Sequence, residues 1–180
     1  MIIAQQKRKE NIVEYLIYMW QVEDMIRACR FDADEIAERI VRQYGQTDEV
    51  NREIARWYGE IVDMMRSEGV TEKGHIQINR NVVLQLSGLH LRLLRSPSET
   101  VYGSLYYKAL PAIVQLRAKS GGGEVSGTSG ISEIETCLTA VYGYLLLRTQ
   151  GKTISRETSE SIRLIGDMLS FLAAKYNEDV

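Results

Sequence analysis

Apolar residues recur at helical spacing along almost the whole chain. In the first long segment they return every three or four residues, the spacing that places side chains on one face of an α-helix. The members of that face are Ile12, Tyr15, Leu16, Met19 and Ile26. Only two prolines interrupt the 180 residues. The pattern therefore predicts an all-α fold.

Residues typical of helix ends divide this pattern into about seven helices. Glycines at positions 45, 69 and 151 stand where helices should stop, and Thr47, Ser96 and Ser132 stand where helices should start. The predicted helices run from 6 to 30, 34 to 44, 47 to 69, 76 to 95, 96 to the glycine-rich segment, 132 to 151, and 155 onward. Short connections favour antiparallel neighbours, so we predict a single-domain antiparallel helical bundle over residues 1–180.

Three local features refine this prediction. Ser96, Pro97 and Glu99 have the spacing of a capping box with proline in the first turn, so the fifth helix should begin there. Pro111 should kink the same helix, because its ring removes one backbone hydrogen bond. The Gly- and Ser-rich segment 120–131 is typical of a mobile loop.

Two of the predicted helices carry more apolar surface than one buried face needs. The first is apolar over most of its circumference, which is typical of a helix surrounded by protein. The fourth carries Leu84 and Leu91 opposite its main apolar face, so it too could be buried on two sides. We therefore expect self-association to cover surplus apolar surface, most simply as a two-fold homodimer.

Composition and charge argue against several classes of protein. The net charge is −2 and basic residues are dispersed, so we expect no nucleic-acid partner. No apolar run reaches the roughly 18–20 residues of a membrane span, and the opening residues turn polar at once. The two cysteines, Cys29 and Cys137, have no metal-ligand spacing and are predicted to be reduced. These features predict a cytoplasmic protein.

Glu23 is the most unusual residue of the first helix, because it falls on the main apolar face. An acid in that position must be paired, bind a ligand or carry a raised pKa. Arg27 lies one turn further on and is the obvious ion-pair partner. Glu23 therefore has three interpretations: a structural pair with Arg27, a ligand-facing acid, or an exposed residue if the helical phase is misjudged.

His90 and Tyr15 are the other candidate polar groups. His90 lies at the margin of the apolar face of the fourth helix, where a histidine is either hydrogen-bonded in the core or a proton carrier. Tyr15 presents one polar hydroxyl from an apolar face. If the bundle encloses a ligand site, Glu23, Arg27, His90 and Tyr15 are its candidate residues.

Other motifs carry weaker signals, and none predicts a cofactor or a metal. Glu72 and His75 have the spacing of a di-iron ligand pair, but the pair occurs once and Gly74 indicates a turn. The predicted second and third helices superficially resemble a helix-turn-helix, but acidic residues lead the supposed recognition helix. The glycine-rich segment lacks the lysine of a phosphate-binding loop.

Several stretches of sequence resemble an uncharacterised bacterial family known only as a domain of unknown function. They are residues 1–12, 14–16, 18–24, 81–86 and 142–148. The resemblance extends over the whole chain and implies a helical, cytoplasmic bacterial protein. It implies no activity, cofactor or catalytic residue.

Two functional hypotheses follow. The first is a non-enzymatic helical scaffold or protein-interaction module that associates with itself or with another protein, because apolar faces are in surplus and a catalytic set is missing. The alternative is a small-ligand-binding or enzymatic bundle with a buried polar site around Glu23, Arg27 and His90. The alternative requires Glu23 and His90 to approach a shared cavity.

Overall fold

The computed structural model describes residues 2–119 and 132–179, and helices dominate both ranges. The α-helices are α1 (Ile2–Glu10), α2 (Ile12–Ala28), α3 (Ala33–Arg39), α4 (Asp48–Ser67), α5 (Gln77–Arg95), α6 (Thr100–Lys119), α7 (Glu133–Thr149) and α8 (Arg156–Asp179). A short 3₁₀ helix occupies Val41–Tyr44. The all-α prediction is confirmed, and the loop predicted at 120–131 lies outside the described residues.

The predicted first helix, 6 to 30, is two helices separated at Asn11. The backbone of Asn11 is extended, with φ −155°, and its side-chain oxygen accepts hydrogen bonds from the N–H groups of Val13 and Glu14. Asparagine is a favoured N-cap because it satisfies amides that have no partner inside the helix. The apolar repeat hid this break, since it starts only after the cap.

The other helix ends follow the prediction in part. Thr47 caps α4 through the N–H of Val50 at 3.5 Å, and Ser132 caps α7 through the N–H of Glu135 at 3.1 Å. Gly45 has the predicted left-handed conformation, with φ 60°, but it ends a 3₁₀ turn rather than an α-helix. The predicted helix 34 to 44 is therefore α3 followed by that turn.

The capping box predicted at Ser96 is wrong. Residues 96–99 form a turn in which the N–H of Glu99 donates to the carbonyl of Ser96 at 3.2 Å, and α6 starts only at Thr100. The hydroxyl of Ser96 lies 2.9 Å from that of Ser98. Because this turn separates Ser96 from the first residue of α6, Ser96 does not cap that helix. Pro111 does lie inside α6, and the kink there stays a prediction.

Contacts between residues divide the chain into two compact units, Met1–Val82 and Val83–Val180. In the first unit α2 packs against α1 and α4, and α3 packs against α4. The core of this unit is built largely from α2, with Ile12, Leu16, Val22 and Ile26 fully buried. This central position confirms the prediction for the apolar helix. The single domain predicted over 1–180 stays a prediction.

In the second unit α6, α7 and α8 pack on one another. Their buried core includes Ile113, Ile134, Leu138, Ile165 and Leu172. The second apolar face predicted for the fourth helix is exposed, with Leu84 at 65% and Leu91 at 50%. Within the described ranges, no helix has the length and apolar character that crossing a membrane requires.

The turn from α2 to α3 contains two consecutive residues in the left-handed region, Arg30 at φ 54° and Phe31 at φ 60°. Residues with a β-carbon adopt this region at a cost. Arg66 of α4 holds the second of them, because its guanidinium donates to the carbonyl of Phe31 at 3.2 Å and lies 5.8 Å from the centre of the phenyl ring.

Candidate functional site

Glu23 is fully buried at the centre of a polar cluster in the first unit. Its Oε1 accepts hydrogen bonds from the backbone N–H of Ile76 at 3.2 Å and from Nδ2 of Asn79 at 2.8 Å. Its Oε2 lies 2.5 Å from Nδ1 of His75. Both carboxylate oxygens are therefore satisfied by residues around the start of α5, as the burial of an acid requires.

Tyr15 joins the same cluster through Asn79. Its hydroxyl donates to Oδ1 of Asn79 at 3.2 Å, so the amide of Asn79 bridges Tyr15 and Glu23. Burial raises the pKa of Tyr15, and the charge of Glu23 adds to this, while Arg8 opposes it. The phenol consequently stays neutral and acts as a donor.

Arg27 does not pair with Glu23, so the predicted ion pair is wrong. Its Nη1 lies 2.8 Å from Asp24, and its Nη2 donates to the carbonyls of Val70 and Gly74. The spacing of four residues allowed a Glu23–Arg27 contact, but the guanidinium instead holds the loop between α4 and α5. Arg27 and Glu23 thus fix the two ends of one loop from neighbouring turns of α2.

His75 is the residue that sequence reasoning missed. Its ring stacks on the indole of Trp20, with centroids 4.2 Å apart and planes 9° from parallel, and its side chain is 26% exposed. In the sequence, His75 belongs only to the weak metal motif that it forms with Glu72. The sequence shows that a buried Glu23 needs a partner. It does not show that this partner is His75, because His75 reaches Glu23 only through the fold of the loop between α4 and α5.

His90 lies in the second unit, in a cluster of its own. It is 3% exposed, and its Nδ1 lies 2.6 Å from the hydroxyl of Tyr102. Burial raises the pKa of Tyr102, so the phenol remains protonated and can donate to Nδ1. On the other side of the ring, Nε2 lies 3.5 Å from Oε2 of Glu133, an ion-pair distance that is long for a hydrogen bond.

Glu133 connects His90 to further polar groups. The hydroxyl of Tyr106 donates to its Oε2 at 3.2 Å, and Nη1 of Arg117 lies 3.5 Å from its Oε1. Interaction with His90 lowers the pKa of Glu133, with Tyr106 and Arg117 acting in the same direction and burial opposing them. Burial, together with the charge of Glu133, raises the pKa of Tyr106 to about 12.

The family model of the domain of unknown function DUF4924 matches residues 1–180. The chain belongs to this family. No curated protein and no solved structure shows a significant match. The family assignment confirms the resemblance to a domain of unknown function, and the bacterial origin stays a prediction.

The structure gathers part of the predicted site. Tyr15 and Glu23 meet around Asn79, and Arg27 holds the same loop, whereas the contacts of His90 come from the second unit. That these four residues bind a ligand stays a prediction. Within residues 2–119 and 132–179, no group of three or more His, Cys, Asp or Glu side chains has a geometry that could hold a metal ion.

Proposed function

We propose that the protein is a helical interaction module that self-associates through α7. One observation carries this proposal. The helix has no charged residue from Thr136 to Leu147, yet among the described residues its buried side chains end at Leu138. An uncharged helical segment whose side chains are only half covered by its neighbours favours a further cover.

The burial along α7 changes abruptly after its second turn. Ile134, Cys137 and Leu138 are buried, and every residue from Thr139 to Leu147 is partly or fully exposed. Leu145 and Leu147 are 40% and 43% exposed. At 100° per residue Leu147 lies on the side of the helix opposite Ile134 and Leu138, whereas Leu145 lies above those two residues. Leu147 is therefore the large apolar side chain of the outer side, and an exposed apolar side chain on a surface without charge is typical of a binding surface.

The outer side of α7 suits close approach by another helix. Thr136, Ala140 and Gly143 lie on that side and are small, and a β-carbon added to Gly143 would meet no atom within 4 Å. Glycine inside a helix costs about 1 kcal/mol relative to alanine. Packing among residues 2–119 and 132–179 does not require it at position 143, whereas small side chains shorten the distance between packed helices.

We propose a second copy of the chain as the occupant of this surface. The uncharged segment has no charge that would select an oppositely charged partner, and every copy presents the same surface. Its 12 residues, counted from 136 to 147, would span about 18 Å, enough for a two-fold contact between identical helices. The bacterial and cytoplasmic setting is part of this proposal, supported by two buried, unpaired cysteines, Cys29 and Cys137.

The test is the mass of the protein in solution. Sedimentation velocity at micromolar concentration should give a dimer for the wild type and a monomer for Leu147→Glu, because two carboxylates would be buried against apolar surface across the two-fold axis. We expect dimer affinity to fall at least about 100-fold. Circular dichroism should be unchanged.

Leu91→Glu is the matched control, because Leu91 is similarly exposed but lies on α5. It should remain dimeric. A wild-type protein that stays monomeric at high concentration would overturn the proposal, and so would a Leu147→Glu variant with unchanged dimer affinity.

A further inference from the structure

We propose that His75 is a nucleophilic imidazole, activated by Glu23, that accepts acyl groups from small activated acyl compounds. This proposal stands on the polar cluster of the first unit and is independent of self-association through α7. The ring of His75 contacts both the carboxylate of Glu23 and the indole of Trp20.

Glu23 determines which nitrogen of His75 is free to react. An ionised carboxylate only accepts hydrogen bonds, so the contact of 2.5 Å between Oε2 and Nδ1 places the ring proton on Nδ1. The other oxygen of Glu23 already accepts the N–H of Ile76 and the amide of Asn79, so the carboxylate acts as an acceptor on both sides. In the neutral ring, Nε2 then holds the lone pair.

Nε2 of His75 is accessible. No residue of the described ranges forms a hydrogen bond with it, and it is not among the buried polar atoms that lack a partner. The buried indole of Trp20 covers one face of the ring, and the buried carboxylate of Glu23 covers the Nδ1 edge. The exposed quarter of the side chain therefore includes the edge that carries Nε2.

The ring is also held in place before any reaction. It is stacked on Trp20 and bonded to Glu23, while Arg27 anchors the preceding loop at the carbonyls of Val70 and Gly74. Fixing the orientation of a reacting group removes an entropic cost from the reaction. A carboxylate behind an imidazole likewise stabilises the positive charge that develops when the imidazole attacks an electrophile.

The reaction can be written for the chain's own atoms. The lone pair of Nε2 attacks the carbonyl carbon, forming an N–C bond, and the C–O bond to the leaving group breaks with its electron pair. The leaving oxygen takes a proton from water. The positive charge left on the ring is balanced by Glu23 through the Nδ1 proton, and water later hydrolyses the acylimidazole to the acid and the free ring.

Diethyl pyrocarbonate is the probe, because it acylates neutral imidazole nitrogen with loss of ethanol and carbon dioxide. The chain has only two histidines, and the buried His90 is an internal control. At mildly alkaline pH, where an ordinary imidazole is neutral, mass spectrometry of the native protein should show His75 labelled at least about tenfold faster than free N-acetylhistidine. His90 should react more slowly than the free compound.

Glu23→Gln tests the role of the carboxylate. The carbonyl of the new amide would satisfy Ile76 and Asn79, and its NH₂ group would then face Nδ1 of His75, which moves the ring proton to Nε2. Labelling of His75 should fall to the rate of free N-acetylhistidine or below it. Glu133→Gln, which changes an acid of the second unit, is the matched control and should label His75 at the wild-type rate.

A histidine with a purely structural role would react more slowly than the free compound, because it is partly covered. Labelling of wild-type His75 at or below the rate of N-acetylhistidine would therefore overturn the proposal. A folded Glu23→Gln variant that reacts at the wild-type rate would overturn it as well. If that variant does not fold, the comparison of the wild type with the free compound still decides the matter.

Discussion

Glu23 and Glu133 are acids that each contact a histidine, and the chain satisfies them differently. Glu23 is fully buried and receives its donors from one short segment, so its role depends on that loop. Glu133 remains partly exposed and meets His90, Tyr106 and Arg117. Because folding lowers the pKa of Glu133, we expect its contacts to make the stability of the protein depend on pH.

Replacing Glu133 by glutamine should remove a contribution to stability that depends on pH. Because the folded state lowers the pKa of Glu133 from about 4.5, the ionised acid stabilises the fold above that pH, and the contribution is lost as pH falls through the lowered value. Urea unfolding should be measured from neutral pH down to acid pH. At neutral pH the free energy of unfolding of Glu133→Gln should be lower than that of the wild type, and the two free energies should become equal in acid.

The exposed acid Glu72 supplies the control for this measurement. Glu72→Gln should follow the wild-type curve. An identical dependence on pH in Glu133→Gln and the wild type would contradict the interpretation.

The sequence predicted the burial of Glu23 but assigned the wrong partner. Helical phase is a local property, so the pattern around Glu23 placed it correctly on an inner face. Its partners His75 and Asn79 lie more than 50 positions away, and only the folded loop brings them to the carboxylate. Gly74 correctly indicated a turn, but a turn predicted from sequence does not show what its side chains will meet.

At the scale of elements, the break between α1 and α2 depends on the chemistry of one side chain. Asn11 satisfies two backbone amides of α2 while its own N–H donates to the carbonyl of Lys7 at 2.7 Å. The junction thus links the last turn of one helix to the first turn of the next. Truncation of the Asn11 side chain should therefore lower the free energy of unfolding.

Asn11→Ala should lower the free energy of unfolding by about 1 kcal/mol, because two amides at the start of α2 lose their acceptor. Urea denaturation measures the loss. Asn11→Asp keeps an acceptor oxygen and should recover most of it, whereas Gln5→Ala on the exposed side of α1 should be neutral. Equal stability of Asn11→Ala and the wild type would show that water replaces the cap.

Helix starts were predictable where a hydroxyl is free to accept a backbone N–H, as at Thr47 and Ser132. The same residue type failed at Ser96, because the chain makes one more turn, closed by the N–H of Glu99 on the carbonyl of Ser96, before α6 starts. The sequence spacing is identical in kind in these cases. What separates them is whether the backbone enters the helix directly after the hydroxyl or first makes a separate turn, which the spacing of residue types does not specify.

For the whole molecule, self-association would make stability depend on protein concentration. If α7 is covered by a second copy, dilution exposes it, and each tenfold increase in concentration should add about 1.4 kcal/mol per dimer. The midpoint of thermal unfolding should therefore rise with concentration in the wild type. It should stay constant in Leu147→Glu, and a constant midpoint in both proteins would count against the dimer.

The helical class was predictable from apolar spacing alone, whereas the division into two compact units was not. The boundary falls between Val82 and Val83, inside α5, where both residues are buried and no glycine or proline marks a change. Length and composition are properties of the chain as a whole and do not show which helices pack together. The division into units depends on which helix faces pack against each other. Apolar periodicity shows that a helix has a buried face, but it does not show which helix covers that face.

The left-handed pair between α2 and α3 has an implication for how this sequence can vary. Arg30 is exposed, so an asparagine or glycine there would relieve backbone strain without loss of buried contacts. We therefore expect position 30 to accept these residues. Phe31 contacts Arg66 through both its carbonyl and its ring, so the same replacement there would keep the hydrogen bond to the carbonyl but lose the contact with the ring. Two neighbouring positions with the same backbone geometry should accordingly tolerate very different replacements.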